Sequence, residues 1–486
     1  MKLLKLIEGI NNLRVINPEN PEIMGFTDVS TEVKEGFLFG AFKGLKTDGI
    51  KYIEDALKRE ASAILTHKEI EVERVPILIS DSEREVFGRL VKKFYKNIDE
   101  KMNIIGITGT NGKTSVSYIL EAALLKLSVN VGVIGTVNYR WKNRKLKAKL
   151  TTPQVHTIFE FMQKIYKERV KNLIIEVSSH AIDTKRVCSI CFDYAVFTNL
   201  SGDHLDYHKT MENYFSVKSK FIKRVAREGK RVFINGDDPY GRKLLEKLDL
   251  SAISFGFSEL NEIKVIEYKL GKSGTFFAVD FSGERLQIKT NLIGKTNIYN
   301  ILPVIGILKE MGFSNSEVED SIRLSKIKIP GRLDLVENPF TNVYIDYSHS
   351  DDSLKKAILT LKGLGFKKVI SVFGAGGDRD RSKRPRMGKV ATELSDLSII
   401  TSDNPRSEDP EKIIEDILKG VVGSKYIVIV DREEAIKKAI EIAGKNDAVL
   451  IAGKGHEDYQ ILRDGVIHFS DFEVAKKALE EVKGKW

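Results

Sequence analysis

The apolar run Asn103-Ile104-Ile105-Gly106-Ile107-Thr108, followed at once by Gly109-Thr110-Asn111-Gly112-Lys113-Thr114, constrains this chain more than any other segment. The run reads as a strand buried on both faces of a parallel sheet. From Thr114 to about Lys126 the pattern is helical, so the glycines fall between a strand and a helix. Such a turn gathers backbone N–H groups and a helix N-terminus around one point, where unpaired donors and the helix dipole favour an anion. Lys113 is then placed for β and γ phosphates, and the Thr114 hydroxyl for magnesium. The usual phosphate-loop pattern wants a glycine where Ile107 stands, so the match fails by one residue; the flanking strand and helix rescue it. The expectation is ATP binding through Gly109, Thr110, Asn111, Gly112, Lys113 and Thr114.

The same alternation recurs along the chain. In residues 1–100, strand-like runs lie at Gly36 to Ala41, Ala63 to Thr66 and Pro76 to Ile79, and the charged stretch Lys92 to Lys101 reads as a linker or linking helix. Residues 101–330 add strands at Val129 to Gly135, Asn172 to Val177, Tyr194 to Thr198 and Arg231 to Asn235. From Ile263 to Thr290 the period becomes two, with glycines, as in an antiparallel meander. Beyond the hinge dipeptide Pro330-Gly331, strands at Val343 to Asp346, Lys368 to Phe373, Leu397 to Thr401, Tyr426 to Val430 and Ala448 to Ala452 alternate with helices. The expected fold class is α/β in three domains. These are a small N-terminal α/β domain (1–100), a central phosphate-loop doubly wound sheet (101–330) and a C-terminal Rossmann-like domain (331–486).

Composition narrows the partners. Lys plus Arg exceed Asp plus Glu by 78 to 68, a formal charge of +10, and apolar residues make up 42% of 486. The basic residues are interleaved with acids, without the basic cluster and interleaved aromatics of a nucleic-acid surface, so a pyrophosphate-bearing small molecule fits the charge better. No run approaches the ~20 apolar residues of a membrane span and no cleavable signal opens the chain, so the expected protein is a cytoplasmic monomer. Cys188 and Cys191 form a lone CxxC with no partner at metal-ligand spacing, and read as two small buried hydrophobes.

Several motifs bear a resemblance. Gly106 to Thr114, Glu176-Val177-Ser178-Ser179-His180 and Thr198-Asn199-Leu200-Ser201-Gly202-Asp203-His204-Leu205-Asp206-Tyr207-His208 closely resemble the Mur ligases of peptidoglycan synthesis. Asp403-Asn404-Pro405-Arg406 and Gly453-Lys454-Gly455-His456-Glu457 narrow the likeness to the branch that adds a third, diamino acid residue to UDP-N-acetylmuramoyl-L-alanyl-D-glutamate. The resemblance runs from about residue 25 to about residue 470. It implies ATP-driven amide formation: the acceptor carboxylate attacks the γ-phosphate, and the incoming amine displaces the acyl phosphate. Such transfer between anions needs positive charge and positioning more than acid–base groups.

The resemblance also assigns residues. Glu176, His204 and Lys218 match the family's magnesium site, with Thr114 a further ligand, Lys218 carbamylated into an anionic oxygen donor, and two ions in all. Lys113, Glu176, His204 and Lys218 carry the chemistry. Asn297 and Asn300 match a pair associated with adenine, Arg332 a residue aimed at the phosphates, and Asp346 and His349 a ribose and adenine contact. Thr151, Thr152, Ser178 and Arg186 match contacts to the muramoyl dipeptide; Thr184 stands where a glutamine is usual. Ser30 falls where a serine lies near the uridine diphosphate, flanked here by Val29 and Thr31.

For the added amino acid, Asp403, Asn404 and Arg406 lie on a loop after an apolar strand, where α/β sheets bind ligands. The final arginine goes with meso-diaminopimelate, whose distal carboxylate its forked donors would grip; lysine is the second choice. Arg379 matches an α-carboxylate contact, and Gly453 and Glu457 match contacts to the distal end. A folylpolyglutamate synthetase-like ligase is the more remote alternative, and lacks both Thr151-Thr152-Pro153 and Asp-Asn-Pro-Arg. A nucleotide sensor that has lost turnover would have lost Lys113, Glu176, His204 or Lys218, and all four stand.

Overall fold

Every run read above as a buried strand is a strand in the computed structural model, within a residue or two at each end. The structure describes residues 1–44, 47–248, 252–324 and 326–482. Two units emerge, one of Met1–Thr108, Val129–Ala195 and Val217–Arg231, the other of Gly109–Ser128, Val196–Ser216 and Val232–Trp486.

In the first unit, a five-stranded sheet runs in the order Arg14–Ile16, Ile77–Ile79, Ala63–Thr66, Phe37–Ala41, Gly25–Thr27. Only its first strand is antiparallel; the other four run parallel. All four residues of Ala63–Thr66 are buried, as a strand covered on both faces requires. The same unit holds Asn103–Thr108 and Val131–Ile134 paired parallel on either side of Asn172–Glu176. The antiparallel hairpin Asn138–Trp141 and Arg144–Lys147 extends it. Along Val155–Lys167, Val155, Ile158, Phe159, Met162 and Ile165 are buried at helical spacing.

The second unit joins Arg231–Asn235 to Ala252–Gly256 in parallel, then turns into the antiparallel meander Ile263–Gly271, Gly274–Phe281, Glu284–Thr290. The change of period read at Ile263 is that meander. A six-stranded sheet follows, ordered Asp334–Val336, Asn342–Asp346, Ala448–Ala452, Val369–Phe373, Leu397–Ile400, Tyr426–Val428, antiparallel only at its first strand. Helices Asp351–Gly363, Lys383–Leu394 and Pro410–Leu418 bury Leu354, Ile358, Met387 and Ile417 in one core. Arg432–Ile442 and Asp471–Glu481 bury Ile436, Ile440 and Leu479 in another. Two cores around one parallel sheet make this segment doubly wound. Among the described residues no helix is long and apolar enough to cross a membrane.

Two expectations need correction. Lys92 to Lys101 is not one linking helix: Glu83–Phe94 ends there because Lys96 and Asn97 both take left-handed backbone, and a short 3-10 turn covers Ile98–Lys101. Asn97 N closes the helix by donating to Lys92 O at 3.0 Å. Nor are the cysteines buried hydrophobes. Both are half-buried free thiols with polar work: Cys191 Sγ accepts from Lys92 Nζ at 3.0 Å, and Cys188 Sγ donates to Lys185 O.

Arg384, buried on the first turn of its helix, fastens the loops at this edge of the six-stranded sheet. Its two terminal nitrogens donate to Glu408 at 2.8 and 3.0 Å, to Asp416 at 3.1 Å and to Gly376 O at 3.3 Å. The Arg384 bonds hold the Glu408 carboxyl down, against the upward effect of burial, from the ordinary 4.5 to about 2. A depressed carboxylate contributes stability above its unfolded value and loses it as pH falls through the folded value. The stability gap between wild type and Glu408→Gln should therefore shrink as pH falls from 4.5 to about 2, read by denaturant unfolding at each pH; a constant gap would contradict the assignment.

Candidate active site

The glycine loop lies in the second unit, where its backbone is gripped by the segment after Phe197. Thr110 N donates to Asn199 O at 2.9 Å, Asn111 N to Asn199 Oδ1 at 3.0 Å, and Thr198 Oγ1 to Asn111 O at 2.6 Å. Thr110 Oγ1 in turn accepts from Ser201 N at 3.0 Å. The fit leaves no room for side chains: a Cβ on Gly109 would stand 1.9 Å from Thr198 Oγ1, and one on Gly112 2.7 Å from Asn300 Oδ1. Both glycines also hold positive φ, +146° and +91°. Helix Lys113–Lys126 starts at Gly112 with no side-chain cap, and the dipole at such an N-terminus favours an anion. Lys113 Nζ curls over the loop, 2.9 Å from both Gly109 O and Thr110 O.

Around this loop the second unit assembles most of the expected nucleotide residues. Asn300 Nδ2 donates to Asn297 Oδ1 at 3.1 Å, and Asn297 Nδ2 to Ile293 O at 2.9 Å, so the two amides form one buried chain. Asn111 Nδ2 reaches Asp352 Oδ2 at 3.3 Å, beside the segment that carries His349. His204 takes left-handed backbone, its N–H 2.9 Å from Asp203 Oδ1. Asp203 Oδ2 lies 3.6 Å from His204 Nε2 and 3.9 Å from His349 Nε2. Burial would raise the Asp203 carboxyl, but His204, His349 and Lys383 hold it down at about 2. Asp346 accepts from Leu333 N at 2.8 Å and Ser348 N at 2.9 Å, while Arg332 stacks 4.6 Å over the Tyr347 ring.

The residues expected to hold the added amino acid meet at the edge of the six-stranded sheet. Asn404 Nδ2 donates to Glu457 Oε2 at 2.9 Å, and Asn404 Oδ1 accepts from Ile461 N at 2.9 Å and Lys454 Nζ at 3.3 Å. Tyr347 OH donates to Glu457 Oε1 at 3.3 Å. Arg406, at φ +53°, is aimed by its Nη1 bond to Gly377 O at 2.8 Å, in the same turn as Arg379. Gly453 N donates to Asp346 O at 3.0 Å, and buried Asp403 accepts from Gln460 through its carbonyl.

Sequence reasoning missed the groups that hold this edge. Arg432 and Asp471 form a buried pair at 2.7 and 2.8 Å, and Arg432 also donates to Ser402 O and Ala452 O, the strand ends that lead into residues 403–406 and 453–457. Neither residue lies in a glycine turn or a motif, so no local signal marks them. Lys383 was missed too; burial lowers its pKa against Asp203, Asp403 and Asp380.

The first unit holds the remaining residues. Glu176, 0% exposed at the C-terminal end of its strand, accepts from Thr136 Oγ1 at 2.7 Å, which also meets Thr151 Oγ1 at 3.1 Å. Thr152 Oγ1 donates to Glu176 O at 2.7 Å and accepts from Ser178 N at 3.0 Å, and Arg186 Nη1 reaches Thr152 O at 3.0 Å. Ser178 caps helix Ser179–Asp183. Thr184 Oγ1 turns back onto His180 O at 2.6 Å. Ser30 is buried against the Asp55 carboxylate, which its hydroxyl helps to hold down. Lys218 is 1% exposed, Lys220 is exposed and Lys223 half-buried, so burial singles out Lys218 and removes the alternative of a solvated helix face.

Known proteins resemble this chain along nearly its whole length. Residues 107–308 match the family described as Mur ligase middle domain, and residues 331–455 that described as Mur ligase, glutamate ligase domain. A relative from Aquifex aeolicus named UDP-N-acetylmuramoyl-L-alanyl-D-glutamate--2,6-diaminopimelate ligase is 41% identical over 94% of each chain. One of the same name from Caldanaerobacter subterraneus is 39% identical over 99% of each. A solved structure of a ligase of that name superposes with a TM-score of 0.69 at 28% identity, over 94% of this chain and 95% of its own. That of MurF ligase from Thermotoga maritima in complex with ADP, at 22% identity and TM-score 0.66 over 94% and 98%, has the same fold.

Two variants probe the frame. Gly109→Ala should weaken ATP binding by at least about tenfold in titration calorimetry, since the new methyl must displace Thr198; unchanged affinity would contradict the close approach. Asp471→Ala, which strands the buried Arg432 charge, should cost about 3–5 kcal/mol in denaturant unfolding.

Proposed function

The chain belongs to the Mur ligase family, and from that premise we propose that it spends ATP to add meso-2,6-diaminopimelate to the D-glutamate of UDP-N-acetylmuramoyl-L-alanyl-D-glutamate. The observation that carries this reading is the 41% identity, across 94% of both chains, to a ligase of that name. The acceptor carboxylate attacks the γ-phosphorus, the bond to ADP breaks, and an acyl phosphate forms. The amine of the incoming acid then attacks the acyl carbon, loses a proton and expels phosphate.

Charge and positioning carry both steps. Lys113 and the helix N-terminus hold the β and γ phosphates of ATP while the γ-phosphoryl group passes to the acceptor, and Asn297, Asn300, Arg332, Asp346 and His349 serve the rest of the nucleotide. Thr151, Thr152, Ser178, Thr184 and Arg186 serve the dipeptide, and Ser30 the uridine diphosphate. By the family likeness, Thr114, Glu176, His204 and a carbamate on buried Lys218 would be magnesium's ligands, and the ion would neutralise phosphoryl oxygens. Arg379 takes the α-carboxylate of the added acid, Glu457 its distal ammonium and Arg406 its distal carboxylate, beside Asp403, Asn404 and Gly453. The protein works as a cytoplasmic monomer with three domains, 1–100, 101–330 and 331–486, one for each substrate.

Phosphate release from ATP, followed in a coupled assay, should require both the UDP-muramoyl dipeptide and a diamino acid; equal turnover without them defeats the ligase reading. kcat/KM for meso-diaminopimelate should exceed that for lysine by at least about a hundredfold, because lysine leaves the Arg406 fork unpaired. A preference for lysine would overturn the choice of amino acid and leave the ligase intact.

A further inference from the structure

Two buried polar atoms of the first unit have no hydrogen-bond partner, Asp28 Oδ1 and His156 Nδ1, and their segments meet on one ring: Phe87 lies 5.6 Å from the Phe26 ring, two residues before Asp28, and 6.2 Å from the His156 ring. A buried group left unsatisfied costs about 1–3 kcal/mol, so a pair of them in one place calls for an explanation. They come from different elements. Asp28 follows strand Gly25–Thr27, at the C-terminal edge of the parallel sheet, where α/β sheets take ligands. His156, 7% exposed, lies on the first turn of helix Val155–Lys167, four residues after Thr152, its ring edge-on to Phe87 at 6.2 Å. Burial pushes the Asp28 carboxyl up and the His156 imidazole down, each opposed by the other's charge.

The surroundings say what kind of group would complete them. Arg84 and Arg186 both act on Asp28, yet both are fixed elsewhere. Arg84 stacks 4.7 Å over Phe42 and donates to Lys43 O at 3.2 Å; Arg186 donates to Thr152 O at 3.0 Å. The positive charge near Asp28 is thus supplied, and what it lacks is a donor. A phosphate would set a second anion against the carboxylate. A hydroxyl or amide N–H would donate to Asp28 Oδ1 while meeting His156 Nδ1 as donor or acceptor. By place, Asp28 lies two residues from Ser30, at the expected uridine diphosphate end, and His156 adjoins Thr152 and Arg186, at the dipeptide end. In the acceptor of the proposed reaction, the sugar lies between those two ends.

We propose that Asp28 and His156 form the subsite for the N-acetylated sugar of the acceptor, Asp28 accepting a hydrogen bond from a sugar hydroxyl or the acetamido N–H and His156 bonding its neighbour. The assignment rests on the ligase reading and adds to it two residues that fix the sugar in register between nucleotide and dipeptide. Thr66 Oγ1 and His67 Nδ1, at the end of strand Ala63–Thr66, are also buried without a partner. That strand is two positions along the same edge, roughly 10 Å away at the usual strand spacing, so the open polar row continues as a groove would.

Titration calorimetry with uridine diphosphate and with UDP-N-acetylmuramic acid separates sugar from nucleotide. Asp28→Asn and, independently, His156→Leu should each raise Kd for the sugar nucleotide by about tenfold or more, leaving Kd for uridine diphosphate within about twofold. In turnover the loss should fall on KM for the acceptor, with kcat nearly constant, a split that a merely structural role would not produce. Equal weakening of both ligands, or no weakening of either in two folded variants, overturns the proposal. A wild-type chain that binds neither ligand would remove the ligase reading itself.

Discussion

A phosphate loop must be rigid without using up the N–H groups that make it useful, and much of the second unit follows from that constraint. Here the stiffness comes from the side: Thr198, Asn199 and Ser201 bond one of the loop's carbonyls, two of its amides and one hydroxyl. The helix start at Lys113 stays uncapped. The grip is so close that glycine is required at 109 and 112 on steric grounds as well as conformational ones. The same loop reaches Asn300 through Gly112 and Asp352 through Asn111, which brings the Asn297–Asn300 pair and the His349 segment to one place.

At the six-stranded sheet a different economy operates. Its ligand edge consists of loops, and loops hold position only when something buried ties them. Arg384 ties the 376–379 turn to the loop before Pro410, and Arg432 ties the two strand ends that launch residues 403–406 and 453–457. Both arginines spend all or nearly all of their donors on carboxylates and carbonyls, the condition under which a buried guanidinium is tolerable. Arg406 and Glu457, the residues expected to face the amino acid, are positioned by that scaffold.

Most of the strands were legible because buried parallel strands write themselves as short apolar runs, of which Asn103–Thr108 and Ala448–Ala452 are the clearest. The hairpin strand Arg144–Lys147 was not, since its four residues are all exposed and three are basic, leaving no alternation to read. The break at Lys96 and Asn97 escaped for another reason: two left-handed residues in a charged stretch carry no glycine to announce them. Motif residues were legible through the family likeness, but the buried partners that aim them, Thr136, Arg384, Arg432 and Asp471, were not. Their identity depends on which segments the fold brings together. Asp28 was passed over for the same reason, standing next to a motif position without being one.

Left-handed backbone occurs in some of the same segments. Leu333 holds φ +44°, a conformation that a branched side chain adopts only when its surroundings impose it. What imposes it is Asp346, which accepts from Leu333 N, while Tyr347 N donates to Gly331 O. The carboxylate that the family likeness assigns to the nucleotide thus also folds the turn that carries Arg332. His204, Asp378 and Arg406 hold positive φ as well, in segments that the family likeness assigns to the nucleotide or the amino acid. Left-handed backbone does not by itself mark function, since Asn12, Glu60, Lys142 and Ser282 hold positive φ in other segments; at Leu333 the hydrogen bonds say what it is for. The Asp346 carboxylate therefore answers to two demands at once. Its replacement by a residue that merely reproduces a ligand contact would still release the turn, which is reason to read Asp346, Leu333 and Arg332 as one structural element.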